Sequence, residues 1–275
     1  MLGARIIEDC GLAFTPRNVA ESWVNYQGKN AYCTAERVAY RNIISGYMPP
    51  QSAAYKNPYR EWIGAQIRAD YYGYINPGDP AAAADMAWRD ASISHVKNGI
   101  YGAMFVAGML AAAAAEGMTM QRAIRHGLAQ IPATSRLYEA VDQIIQAHGR
   151  GESAQSCLKG IHTRWDEHDP YDWCHVISNA EIVTMALLYA TDYTQAIGMA
   201  VQAGFDTDCN GATVGSVYGM LYGDKCIGAQ WSAPIHDTLD TTILGVGKVR
   251  LDEMVDMTMR HIHWHDEQAK RFACK

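Results

Sequence analysis

Apolar residues recur along the chain at helical spacing, in long stretches broken by prolines and by clusters of Gly, Asn, Asp and Ser. Prolines stand at 16, 49, 50, 58, 77, 80, 132, 170 and 234, and the intervals between them read as helices. Asp79-Pro80 followed by AAAADMAW combines an N-cap, a proline in the first turn and residues of high helix propensity. That pattern predicts a helix running toward Ser94. Asn98-Gly99 then reads as a turn, and the stretch from Ile100 to Glu116 is apolar on every face, which belongs in the middle of a bundle. Further helices are predicted at 17–26, 34–46, 119–130, 136–148, 153–162, 178–190, 193–203, 211–222 and 250–270. Apolar runs of strand length lie inside helical patterns, and no alternating segments with hairpin turns recur. The expected fold is all-α, a single compact multi-helix domain over residues 1–275.

Composition narrows the function. A hydrophobic fraction of 49% excludes a disordered chain. The net charge of −6, with no block of Lys or Arg, argues against a nucleic-acid partner. Seven cysteines form no CxxC pair and cannot all pair within one chain, which fits a reducing, cytoplasmic setting. Arg5, Glu8 and Asp9 interrupt the apolar run that a secretory signal would need. The longest uncharged apolar stretch, Gly99 to Ala115, falls short of the roughly 20 residues that span a bilayer. No membrane partner is expected, and the ligand should be small.

The chemistry concentrates in Ala203 to Gly223. Gly211, Gly215, Gly219 and Gly223 recur every fourth residue and draw a bare stripe along a helix. Each interior glycine costs up to about 1 kcal/mol against alanine, so either a neighbouring helix or a ligand must approach that face closely. Directly before the stripe stands Asp206-Thr207-Asp208. One aspartate would suffice to cap the helix. Two carboxylates one residue apart in a non-helical turn can bend toward one point, as a hard cation with oxygen ligands requires.

These residues resemble the ADP-ribosylglycohydrolase family. Its signature is similar to G-x-D-T-D-[TSC]-x-G-A-x-x-G-x-x-x-G, and here Gly204 to Gly219 reads GFDTDCNGATVGSVYG. Asn76-Pro-Gly-Asp-Pro with Asp90-Ala-Ser-Ile-Ser-His95 resembles a second family block, and Trp173 to Asn179 with Ala186 to Tyr189 a third. The resemblance implies an all-α ADP-ribosylglycohydrolase-like bundle, with a binuclear Mg²⁺ site, or Mn²⁺ in its place, beside the distal ribose of ADP-ribose. By motif, Asp206 and Asp208 are implied as metal ligands and as the catalytic carboxylates. The third ligand position is Cys209, a poor partner for Mg²⁺. His95, Asn98, Gly99, Tyr101, Gly64, His175 and Gly211 are the implied substrate-binding residues, with Glu61 to Gln66 in the place of a phosphate-binding segment. For His95 and His175, a capping or core role is the alternative.

The family also carries a Thr-Asp-Asp motif that supplies further metal ligands and a carboxylate for the attacking water. No Thr-Asp-Asp occurs here, and Met1 to Leu12 resembles the helix that follows it. The expectation is an N-terminally incomplete site and Mg²⁺-dependent hydrolysis of an N- or O-glycosidic bond to ADP-ribose, on a protein or a small molecule. The alternative is a non-catalytic ADP-ribose or nucleotide binder, and the chain is expected as a monomer or homodimer. His261, His263 and His265 suggest zinc only weakly, because just the first and last share a helix face. Cys209 as a nucleophile is disfavoured by its acidic neighbours, and a prenyl-diphosphate enzyme by the absence of DDxxD.

Overall fold

The structure is a computed structural model; it describes residues 1–273, leaving aside the side chains of Lys29 and of residues 265–273. Helices dominate, and short polar residues set their starts. Thr15 caps α2 (Pro16–Tyr26), which follows α1 (Leu2–Cys10), and the Thr15 hydroxyl accepts from the Asn18 amide at 3.3 Å. Next come α3 (Thr34–Ile44), α4 (Gln51–Ala54) and α5 (Asp70–Tyr74). The expected cap at Asp79 is present: its carboxylate accepts from the Ala82 amide at 3.0 Å at the head of α6 (Pro80–Ala91).

The central helix α7 (Asn98–Ala113) is buried nearly throughout. It starts at Asn98, so Asn98-Gly99 is its first turn and not a separate one; the chain reverses just before, where Lys97 takes φ +48°. The Asn98 side chain explains the difference. Its Nδ2 donates to Glu61 at 2.7 Å and its Oδ1 accepts from the Leu137 amide at 3.1 Å, which fixes it at a helix junction. Around α7 lie α8 (Met120–Leu128), α9 (Arg136–Gly149), α10 (Ala154–Arg164), a second buried helix α11 (Val176–Tyr189), and α12 (Tyr193–Gln202).

The glycine-striped helix is α13 (Thr207–Tyr222), which begins four residues earlier than predicted. A short helix α14 (Ala229–Ser232) and an antiparallel hairpin follow, β1 (Thr238–Asp240) on β2 (Lys248–Arg250), with Leu239 opposite Val249. The sequence pattern did not show this hairpin. Its strands are three residues each and mostly exposed, too short for alternation to register. Finally, α15 (Leu251–Ala273) returns to α1 and α5: Arg260 pairs with Glu8 at 3.1 Å, and the buried His261 ring lies 2.6 Å from the Tyr71 hydroxyl.

Two apolar clusters share α7. One packs Phe105, Leu110, Val141, Val183 and Val214; the other packs Ile6, Phe14, Trp23, Tyr72 and Ile93 against Ala103 and Ala107. Burying one such large side chain is worth about 1.5–3 kcal/mol. The expected compact all-helical fold is therefore the observed one. Among the described residues, no helix is long and apolar enough to cross a membrane.

Candidate functional site

Two local features deliver the acidic loop. Gly204 and Phe205 both take left-handed backbone, φ +81° and +61°, turning the chain sharply before Asp206. A phenylalanine there costs of order 1 kcal/mol, a strain the surrounding packing must hold. Asn179, fully buried on α11, accepts from the Asp206 amide at 3.1 Å and from Asn210 Nδ2 at 2.7 Å, pinning the loop to the bundle. Asp206 stands at the N-cap of α13, yet its side chain makes no capping bond. It accepts instead from the Cys174 thiol at 3.3 Å. Asp208 lies inside the first turn of α13, so the two carboxylates do not share the non-helical turn the sequence suggested.

Ligand atoms of Asp206, Asp208 and Cys209 nevertheless all lie within 4.8 Å of one another. Burial raises the Asp206 carboxyl above its ordinary range, thiol bonds from Cys209 and Cys174 oppose this, and Asp208 adds to it. Burial, then the neighbouring carboxylates, push the Cys209 thiol far up, so it stays protonated. Two carboxylates suit a hard divalent cation and a protonated thiol does not. The oxygen donors carry the fit to Mg²⁺, and Cys209 adds nothing to it.

All three residues line a cavity of about 760 Å³, whose wall includes Trp23, Glu36, Gly64, Arg68, Asp70, Asp90 and Cys174. A second hollow of about 560 Å³ adjoins it, sharing Asp70, Tyr74 and Asp208. The glycine stripe serves packing and access together. A Cβ on Gly211 would meet Val201 at 3.2 Å and one on Gly215 would meet the Tyr193 hydroxyl at 2.9 Å, both from α12, while Gly211 and Gly215 also line the second hollow.

The far wall holds a buried ion network that the sequence reading missed. Arg68 Nε donates to Asp90 at 2.5 Å. Nη1 donates to Glu36 Oε1 at 2.9 Å and to the Gly64 carbonyl at 3.2 Å. Nη2 donates to the Asp90 carbonyl at 3.2 Å and to Ser94 Oγ at 2.8 Å. All five guanidinium N–H groups are thus committed and none is left for a phosphate. Burial lifts the Glu36 carboxyl above its usual range, and Arg68 works against that. A Cβ on Gly64 would fall 1.9 Å from Glu36 Oε1, so only glycine leaves the carboxyl its place. The Gly64 surface therefore meets a carboxylate, which repels phosphate.

The other implied binding residues sit behind this wall. His95 is fully buried, and its Nδ1 shares a hydrogen bond of 2.8 Å with Ser94 Oγ, which also accepts from Arg68. Its Nε2 is buried without a hydrogen-bond partner, 4.0 Å from Glu36 Oε1. Burial, then Arg68, lowers the ring's pKa, so it is neutral. Asn98 and Gly99 form the junction already described, and Tyr101 packs against the larger core cluster. His175 caps α11, its Nδ1 accepting from the Ile177 amide at 3.2 Å, and stacks on Trp165 at 4.9 Å. Burial drops its pKa to about 4. Of the implied binding residues, Gly64 and Gly211 line the two cavities, and His95, Asn98, Gly99, Tyr101 and His175 do not.

Glu36, Arg68, Asp70, Asp90 and Cys174 are the residues the pattern reading passed over. A signal existed: Glu36 shares its helix face with Ala39, Tyr40 and Ile43, and Asp90 with Ala83, Met86 and Ala87, so each is a charge on an apolar stripe. The His261 side of the zinc motif is engaged by Tyr71 and Glu8, and the His265 side chain lies outside the described residues. The model of the family described as ADP-ribosylglycohydrolase matches residues 1–267. A search of curated proteins finds no match to the chain.

Proposed function

The chain belongs to the ADP-ribosylglycohydrolase family, whose members act on ADP-ribose linkages, and we propose that it is a cytoplasmic, Mg²⁺-dependent hydrolase of an N- or O-glycosidic bond to ADP-ribose. The observation that carries the reading is the pair Asp206 and Asp208, grouped with Cys209 within 4.8 Å on the wall of the 760 Å³ cavity. Cavity charge supports it. Five acidic side chains and one basic one line that wall, and the basic one, Arg68, is neutralised by Glu36 and Asp90. Among the described residues, neither Asp206 nor Asp208 pairs with a basic side chain. An anionic substrate enters such a cavity only with a cation to balance it.

In this reading Asp206 and Asp208 would hold the ion, and the Asn179 bond to the Asp206 backbone fixes the loop that carries them. A bound Mg²⁺ supplies charge for the ribose hydroxyls and makes a nearby water more acidic. Asp208 borders both hollows, which suits a substrate lying across their junction. Cys174, bonded to Asp206, orients that carboxylate.

Release of ADP-ribose from peptides modified on arginine or on serine tests this. Turnover should require Mg²⁺, stop with a chelator and fall at least about a hundredfold in Asp208→Ala. Chelator-resistant turnover, or full activity in Asp208→Ala, would overturn it.

A further inference from the structure

Hydrolysis of a glycosidic bond needs a carboxylate that takes a proton from the attacking water, and Asp206 and Asp208 are occupied with a cation in the reading above. The cavity wall carries a carboxyl built for the other task. We propose that Glu36 is the general base of this site, held for that role by Arg68; the inference rests on the hydrolase reading.

Four observations carry it. Glu36 is 8% exposed, and what remains exposed borders the cavity that also holds Asp206, Asp208 and Cys209. One oxygen, Oε1, is fixed by Arg68 at 2.9 Å, with the buried His95 Nε2 4.0 Å away. A group so anchored has one orientation in which to meet a water. The missing Cβ of Gly64 reserves room for the carboxyl, since any side chain there would displace it. Arg68 is in turn fixed by Asp90 and Ser94 and stacks over Trp23 at 5.0 Å, so the anchor does not move.

The step balances as follows. Water oxygen forms a bond to the anomeric carbon while the bond from that carbon to the departing nitrogen or oxygen breaks. One water proton passes to Glu36. The departing group takes a proton from Asp70, a carboxyl of the same wall that Ser216 bonds and whose Oδ1 is buried without a hydrogen-bond partner. Glu36 then loses its proton to solvent and Asp70 regains one, and ADP-ribose leaves with its new hydroxyl.

Glu36→Gln and Glu36→Ala test the assignment in the full chain, with the same arginine- and serine-linked ADP-ribosyl peptides in Mg²⁺. Both should lower kcat at least about a hundredfold with KM changed less than about threefold. Azide or formate should restore at least about tenfold of that loss in Glu36→Ala alone, because a small anion fits the space the side chain vacates, and azide should yield ADP-ribosyl azide. A merely structural Glu36 would show no such rescue. Glu36→Gln keeps the shape and an oxygen for Arg68, so it reports even where the alanine variant does not fold. Unchanged kcat in Glu36→Gln, or lost kcat that neither anion recovers in folded Glu36→Ala, overturns the proposal while the hydrolase reading stands. A wild-type chain without turnover overturns both.

Discussion

Replacing Asp70 by Asn should stabilise the protein, and more so as pH rises. Asp70 opens α5 where the two hollows meet; Ser216 bonds its carboxyl, and its Oδ1 has no partner. Burial lifts its pKa from 3.8 to about 7, with Ser216 opposing. The sign follows from proton counting. Below the unfolded pKa both states carry the neutral acid. Between there and about 7 the unfolded chain has lost the proton and the folded chain keeps it, so stability falls with rising pH and levels off above about 7. The full shift corresponds to about 4 kcal/mol. Asp70 is half-buried as a residue, and solvent screening brings the expectation to about 2 kcal/mol. Urea unfolding of wild type and Asp70→Asn at pH 4.5 and pH 8 reads it directly. About half of that is already lost at pH 4.5, above the unfolded pKa of 3.8, so the variant should gain about 1 kcal/mol more at the higher pH. Parallel pH dependences would show that Asp70 titrates normally and would remove the reasoning.

Arg68 and Gly64 give two further tests of the buried network. Arg68→Ala leaves Glu36 and Asp90 without a cation and should cost about 3–5 kcal/mol in denaturant unfolding, whereas Arg68→Lys keeps the charge, loses the five-donor fork and should cost about 1–2 kcal/mol; losses below about 0.5 kcal/mol for both would mean the network contributes nothing to stability. Gly64→Ala pushes the Glu36 carboxyl off its Arg68 anchor, so it should cost about 1 kcal/mol in stability while lowering kcat as far as Glu36→Gln does, and in a Glu36→Ala background it should have no further effect on kcat. Additive losses in that double variant would place the Gly64 effect elsewhere.

The helical architecture is legible because its determinants are local. Asp79-Pro80 ahead of an alanine-rich run caps a helix through neighbours in sequence, and a segment apolar on every face, such as Ile100 to Ala113, has no stable place except between other helices. Errors fell where a side chain acts at a distance. Asn98-Gly99 has turn chemistry, but the Asn98 amide is engaged by Glu61 and by the Leu137 amide, residues 37 and 39 positions away, and the pair joins the helix. Asp206 looks like a cap and does not cap, because the Cys174 thiol 32 positions upstream meets its carboxylate. The DTD motif announced the candidate ion-holding residues since all of them fall within four positions of one another, whereas His95 and His175 have the same side chain at sites that only the fold tells apart from a cavity wall.

Glu36, Arg68 and Asp90 lie on α3, the turn before α5, and α6, and no sequence window contains them together. Each taken singly is a blemish on an apolar pattern that burial should have removed. A buried ion pair gains little over apolar packing, because desolvation consumes most of the attraction. Three charges with a net negative sum cost more than they return to the fold, and burial pushes the Glu36 carboxyl above its ordinary range even beside Arg68. Arg68 would be neutralised by Asp90 alone. The second carboxylate is therefore surplus to stability, and surplus buried charge on a cavity wall is what a chain retains for chemistry.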